Sequence, residues 1–180
     1  MQRNFVNPIG MIEGFYGNPW SHSVRLKFPE LLAELGLNTY VYCPKSDPYL
    51  RRRWKEDWSS SDWCNLMEFS FECLNKKISL GIGISPYEIY TTYTNSEKIK
   101  LRAKIEKISE LNPAFICVLF DDMQGNFKDL ASIQADIAND IYSWSTHAKV
   151  LFCPTYYSFD PILESVFGKK PTNYHEALGE

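Results

Sequence analysis

Apolar residues in this chain gather into five short runs, each closing on glycine, proline or a polar residue: GMIEGFYG at 10–17, NTYVYCPK at 38–45, ISLGIGISP at 78–86, AFICVLFDD at 114–122 and AKVLFCPT at 148–155. A run that is apolar at nearly every position, without alternation, predicts a strand buried on both faces. Between the runs the apolar spacing lengthens to that of a helix face. Val24, Phe28, Leu31, Leu32 and Leu35 make the first stripe, with Pro29 predicting a kink or a late start. Trp63, Leu66, Met67, Ser70 and Leu74 make the second, with Ser61 as its cap. Leu101, Ile105, Ile108 and Leu111 make the third, with Lys100, Arg102, Lys104 and Lys107 on its solvated side. Leu130, Ile133, Ile137, Ile141 and Trp144 make the fourth. Asp160-Pro161 then reads as a cap followed by proline at the first helical position, and Gly168 as a stop.

Strand and helix thus alternate five times at intervals of roughly 30 to 40 residues, which is how a parallel sheet with crossover helices is written in sequence. The fold class is α/β. Two architectures fit: an open doubly wound sheet, or part of a barrel. A doubly wound nucleotide-binding sheet carries a glycine-rich turn after its first strand. EGFYGNPW is not G-x-G-x-x-G, and no G-x-x-x-x-G-K-[ST] occurs, so nucleotide binding has little support. The long connection CPKSDPYLRRRWKEDW after the second run is polar, aromatic and basic, either a solvated loop or part of the rim of a site.

Composition acts mainly by exclusion. At 180 residues with 44% hydrophobic content the chain suits one domain. A net charge of −3, spread without long runs of one sign, gives no footprint for nucleic acid or an anionic membrane, and neither is expected as a partner. No apolar run approaches the roughly 20 residues that span a bilayer. The Met1-Gln2-Arg3-Asn4 start lacks the apolar segment of a secretory signal, so a cytoplasmic location is expected. Five cysteines without a C-x-x-C predict free thiols, with Cys43, Cys117 and Cys153 packed as small hydrophobes in their strands.

The fourth run drives six apolar residues into Asp121 and Asp122. In parallel α/β folds the site lies beyond the carboxyl ends of the strands, where this pair, Gly17, Lys45, Ser85 and the 153–157 stretch all fall. Three readings of the pair stay open. One aspartate can cap the following helix. Together they can hold Mg²⁺, although His22, His147 and His175 are scattered and no further acidic cluster supplies ligands. Or they divide acid/base work, one ionised and the other with a raised pKa, as glycosidic cleavage requires. Adjacent strand residues point to opposite faces, so the third reading needs the strand to end and turn there.

The blocks G-M-I-E-G-F-Y-G-N-P-W-S from Gly10, L-G-L-N-T-Y-V-Y-C-P-K-S-D-P-Y from Leu35, F-D-D-M from Phe120 and L-F-C-P-T-Y-Y from Leu151 together resemble the O-GlcNAcase family of β-N-acetylglucosaminidases, also labelled hyaluronidase-like. The resemblance implies a (β/α)8 TIM-barrel hydrolase that removes terminal β-linked N-acetylglucosamine from a glycoconjugate or glycoprotein. It implies substrate-assisted, retaining catalysis without a cofactor, in which the sugar's acetamido oxygen attacks the anomeric carbon to form an oxazoline. By position, Asp121 would hold the acetamido N–H and Asp122 would be the general acid and then the base. Gly10, through its backbone, and Lys45 would meet the sugar hydroxyls, and Tyr157 would stand near the acetamido group. Ser46 stands where many relatives have Asp, and Tyr156 where a Glu is common.

A full barrel of this kind takes about 250 residues. Residues 1–180 are therefore expected to form the N-terminal portion of the catalytic barrel, about five βα units, with the first and fifth strands as open edges. A second copy or a partner is expected to cover them. The competing functional reading is a catalytically silent partial barrel that binds sugar or self-associates.

Overall fold

Five parallel strands pair in the order in which they occur along the chain: β1 (Gly10–Glu13), β2 (Thr39–Tyr42), β3 (Ser79–Ile84), β4 (Phe115–Leu119) and β5 (Lys149–Cys153). The structure, a computed structural model, describes residues 7–179. The Met1–Asn4 stretch and Glu180 lie outside the described residues. A doubly wound sheet reverses its strand order at a switch point. Here the order never reverses, which is the winding of a barrel wall and decides between the two architectures. Among the described residues β1 and β5 pair with only one neighbour each, so both are edges.

The connecting helices are α1 (His22–Arg25), α2 (Phe28–Glu34), α3 (Ser60–Asn75), α4 (Asn95–Ser109), α5 (Leu130–Trp144), α6 (Ile162–Phe167) and α7 (Tyr174–Gly179). They pack on one face of the sheet. In-register neighbours of parallel strands share a face, so Tyr40 with Leu80 and Tyr42 with Ile82 and Ile116 form a continuous apolar floor. Leu66 and Phe69 of α3, Leu101, Ile105 and Ile108 of α4, and Ile137 and Ile141 of α5 close over it. The opposite, inner face carries a smaller cluster of Val41, Cys43, Phe115 and Cys117. All five cysteines are free.

Several expectations are corrected. Each strand stops short of its apolar run, because the carboxyl end of the run leaves the ladder to build the loops of one rim. Burial on both faces holds for β2 and nearly throughout β3 and β4, but not for the edges, where Ile12 and Leu151 are exposed. The first helical stripe breaks into α1 and α2 with Pro29 in the first turn of α2, and of its leucines only Leu32 is buried. The cap of α3 is Ser59, whose Oγ accepts from the Asp62 N–H at 3.1 Å, not Ser61. Asp160 Oδ1 accepts from Ile162 N at 2.9 Å, but α6 starts one residue later than expected, with Pro161 at the cap position, and Gly168 stops it with φ 93°.

Lys104, expected on the solvated side of α4, is 3% exposed. Its ammonium lies 4.0 Å from the Trp58 ring centroid and donates to the Glu56 carbonyl. Burial pushes it down to about 8. A base whose folded pKa is depressed opposes folding while charged in both states; this cost is full below pH 8 and fades as pH rises to the ordinary 10.5. The stability of the native chain is therefore expected to gain about 2–3 kcal/mol on that of Lys104→Met between these limits. Urea unfolding of both proteins across that window measures it, and a pH-independent difference would contradict it.

Candidate active site

The approach to the aspartates is fixed by β5. Phe120, buried at the end of the apolar run, donates its N–H to Cys153 O at 2.8 Å and accepts at its own carbonyl from Thr155 Oγ1 at 2.9 Å. Thr155 in turn accepts from Gln134 Nε2 at 2.7 Å, and the Tyr174 hydroxyl donates to Gln134 Oε1 at 2.5 Å. Thr155 and Gln134 are fully buried, so this chain of hydrogen bonds is satisfied inside the core. Beyond the pair the chain turns at Gly125, whose N–H donates to Phe167 O at 2.7 Å. A Cβ there would stand 2.2 Å from the Tyr156 hydroxyl oxygen, so the turn requires glycine.

Because β4 ends at Leu119, strand alternation no longer separates the two carboxylates. Both converge on one ammonium: Lys45 Nζ lies 2.5 Å from Asp122 Oδ2 and 3.4 Å from Asp121 Oδ2. Lys45 is almost buried at 7% side-chain exposure, while the aspartates remain open to solvent on one side. The other oxygen of Asp121, Oδ1, is buried with no hydrogen-bond partner among the described residues.

The electrostatics differ from the sequence expectation of a raised second carboxyl. Burial does work to raise Asp122, but the Lys45 ammonium, the facing Tyr16 hydroxyl and the charge of Arg51 outweigh it and hold the carboxyl below its ordinary range. Burial pulls Lys45 down, yet the two aspartates hold it above its usual value. Thiols lie close to the pair. Burial pushes Cys43 up to about 12 and Cys153 up to about 11, with the Asp121 charge adding to both, so they stay protonated.

Two of the remaining expected residues are not brought to this cluster. Gly10 opens β1 in register with Thr39, at the amino end of the sheet. Four residues of strand separate it from the rim, about 13 Å; the residue that leaves β1 at the rim is Gly14. Tyr157 follows β5 on the correct rim but is exposed and makes no hydrogen bond among the described residues. Tyr156 is buried and donates to Gly168 O at 2.6 Å.

The sequence reading missed three contributors. Tyr16 faces Asp122. Arg51 is held beside it by the loop after β2, which is thus rim rather than solvated loop. Asp47 orders that loop, accepting from Tyr42 Oη, Trp58 Nε1 and Tyr49 N at 3.0, 3.1 and 2.9 Å. The third is Glu13, fully buried on the helix side, where Arg25 Nε and Nη2 donate to its two oxygens at 2.8 and 2.7 Å and Tyr40 Oη donates at 2.5 Å. Arg25 also donates to Trp20 O at 3.0 Å, so this knot pins the loop that carries Tyr16. An acid inside an otherwise apolar run was the available signal for Glu13. A cavity of about 260 Å³ lies next to this knot, lined by Trp20, Arg25, Tyr42, Asp47 and Trp58; neither aspartate reaches it.

The sequence matches the NAGidase family, beta-N-acetylglucosaminidase, over residues 9–180. The chain belongs to this family. Relatives of this chain include the Protein O-GlcNAcases of Rattus norvegicus and Mus musculus, each 32% identical over 158 residues. That alignment covers 82% of the chain but 17% of each relative. Among solved structures, a mutant O-GlcNAc hydrolase of Thermobaculum terrenum superposes with a TM-score of 0.77 at 30% identity, over 96% of this chain and 38% of the other. The five-strand wall is thus shared with a larger hydrolase. Among the described residues no group of three or more His, Cys, Asp or Glu side chains stands together as a metal site would, and no helix is long and apolar enough to cross a membrane.

Proposed function

We propose that this chain carries the acid/base centre of a glycosidase that removes terminal β-linked N-acetylglucosamine from glycoconjugates by substrate-assisted, retaining catalysis. The convergence of Asp121 and Asp122 on Lys45 supports the reading. The unpartnered Asp121 Oδ1 is an acceptor waiting for a donor, and an acetamido N–H supplies one. An anion on that N–H makes the acetamido oxygen a better nucleophile. The oxygen attacks the anomeric carbon, the glycosidic bond breaks, Asp122 gives its proton to the departing oxygen, and the acetamido N–H proton passes toward Asp121, leaving an oxazoline. Asp122 then takes a proton from water, which opens the ring with retention.

With Lys45 beside it, Asp122 is held low and is anionic at neutral pH. Sugar hydroxyls that take over Lys45, and the water expelled by the sugar, both push the carboxyl up toward a donating role. The route uses no cofactor. The test is release of a chromophore from an aryl β-N-acetylglucosaminide, with Asp122→Ala as control and the anomer of the first-formed sugar read by NMR. Turnover well above the control with a β-anomeric product is expected; none above it at high protein concentration would overturn the proposal.

The open edges and the exposed Ile12 and Leu151 favour a second reading, a silent module that binds sugar or associates with a second copy. It expects sugar binding without turnover and a concentration-dependent size in sedimentation. A fully active monomer would exclude it.

A further inference from the structure

Three consecutive arginines follow β2, and they differ in how they are satisfied. Arg53 is paired with Glu56, Nε to Oε1 at 2.9 Å. Arg51 and Arg52 have no acidic partner within salt-bridge distance among the described residues. Arg51 instead lies between two aromatic faces, its guanidinium carbon 5.7 Å from the ring centroids of both Tyr16 and Tyr87. Arg52 stands 5.3 Å from the Tyr87 ring. The Nε of Arg51 is buried and has no hydrogen-bond acceptor. A guanidinium held by its faces keeps its edge for a coplanar acceptor, and a carboxylate fits that edge in a bidentate way.

The position is fixed by backbone: Ser85 N donates to Leu50 O at 2.8 Å and Tyr87 N to Arg51 O at 3.3 Å, tying the loop to the end of β3. It also lies on one particular side of the proposed site. Tyr16 bridges Arg51 to Asp122, and the charge of Arg51 is felt at that carboxyl. Asp122 is the group assigned to the departing oxygen, so what lies beyond it faces the leaving group and not the sugar. Arg51 is half-buried and Arg52 exposed, so two cations run outward along the rim, suiting an extended chain more than a compact ring.

Building on the proposed function, we infer that Arg51, seconded by Arg52, selects substrates by a carboxylate on the leaving-group side: an Asp or Glu side chain next to the glycosylated residue of a polypeptide. The carboxylate meets the outward edge of the Arg51 guanidinium while the sugar sits over Asp121.

Two sulfur-linked glycopeptides, which are not hydrolysed, test this. They carry β-N-acetylglucosamine on the same central residue, flanked by Glu in one and Gln in the other. Binding to the 180-residue chain is measured by calorimetry at low salt, alongside free N-acetylglucosamine. The Glu peptide is expected to bind about tenfold more tightly, the advantage shrinking as salt rises. Arg51→Met is expected to abolish the preference, bringing the affinity of the Glu peptide down to that of the Gln peptide, with the circular dichroism unchanged. Equal binding of the two peptides, or a preference that survives Arg51→Met, overturns the inference and leaves the glycosidase reading standing. Failure of both peptides and the free sugar to bind overturns both.

Discussion

Asp122→Asn is expected to lower kcat/KM on a β-N-acetylglucosaminide with a basic leaving group by about 10²–10⁴-fold. The same substitution is expected to cost far less when the leaving group is a dinitrophenol, whose oxygen departs as a stable anion and needs little proton transfer. Asp121→Asn should behave differently. Its loss removes the anion that orients and polarises the acetamido group, a defect that precedes bond breaking and is felt with either leaving group. The measurement is a plot of log kcat/KM against leaving-group pKa for the three proteins. A steep line for Asp122→Asn, and a line for Asp121→Asn that is lowered but parallel to the native one, support the division of labour. Parallel lines for both variants would show that neither aspartate is the proton donor.

That division was legible in the sequence only in part. The alternation of runs and the abrupt end at Asp121-Asp122 gave the class of fold, the rim and the pair. What single positions along a chain do not carry is which partner neutralises a charge. Lys45 and Asp122 are far apart in sequence, and their contact reverses the expected direction of the Asp122 shift. Lys104 shows the same limit. A lysine on the polar side of a helical pattern reads as solvated, but the indole of Trp58 from a distant loop covers it. Strand ends were overestimated because apolar residues past the last ladder hydrogen bond, such as Phe120, remain buried under neighbouring loops. Gly10 begins β1 at the far end of the sheet, where the run from residue 10 already put it, and its expected contact with the sugar hydroxyls came from the resemblance alone.

Glu13→Ala is expected to give the largest loss of stability, about 3–5 kcal/mol. The carboxylate is wholly buried, and its removal leaves the Arg25 guanidinium charged in the core with only the Trp20 carbonyl to accept from it. Its Glu13 hydrogen bonds raise the Arg25 pKa against the opposing effect of burial, so losing the carboxylate leaves mostly the desolvation cost. For a chain of this length that corresponds to a fall of about 6–20 °C in the unfolding midpoint. Arg25→Met alone should also destabilise, since it strands a buried carboxylate against the Tyr40 hydroxyl. The double variant Glu13→Ala/Arg25→Met should recover much of the loss, because no buried charge then remains and the Met side chain can stay among Trp20, Tyr42 and Phe69. The cycle separates two jobs of the knot. If Glu13 only stabilises the core, sugar binding by the double variant matches the native chain at temperatures where both are folded. If the knot also sets the loop that carries Tyr16, the double variant stays folded yet binds the sulfur-linked glycopeptides more weakly, and that second outcome is the one the Arg25 to Trp20 hydrogen bond predicts.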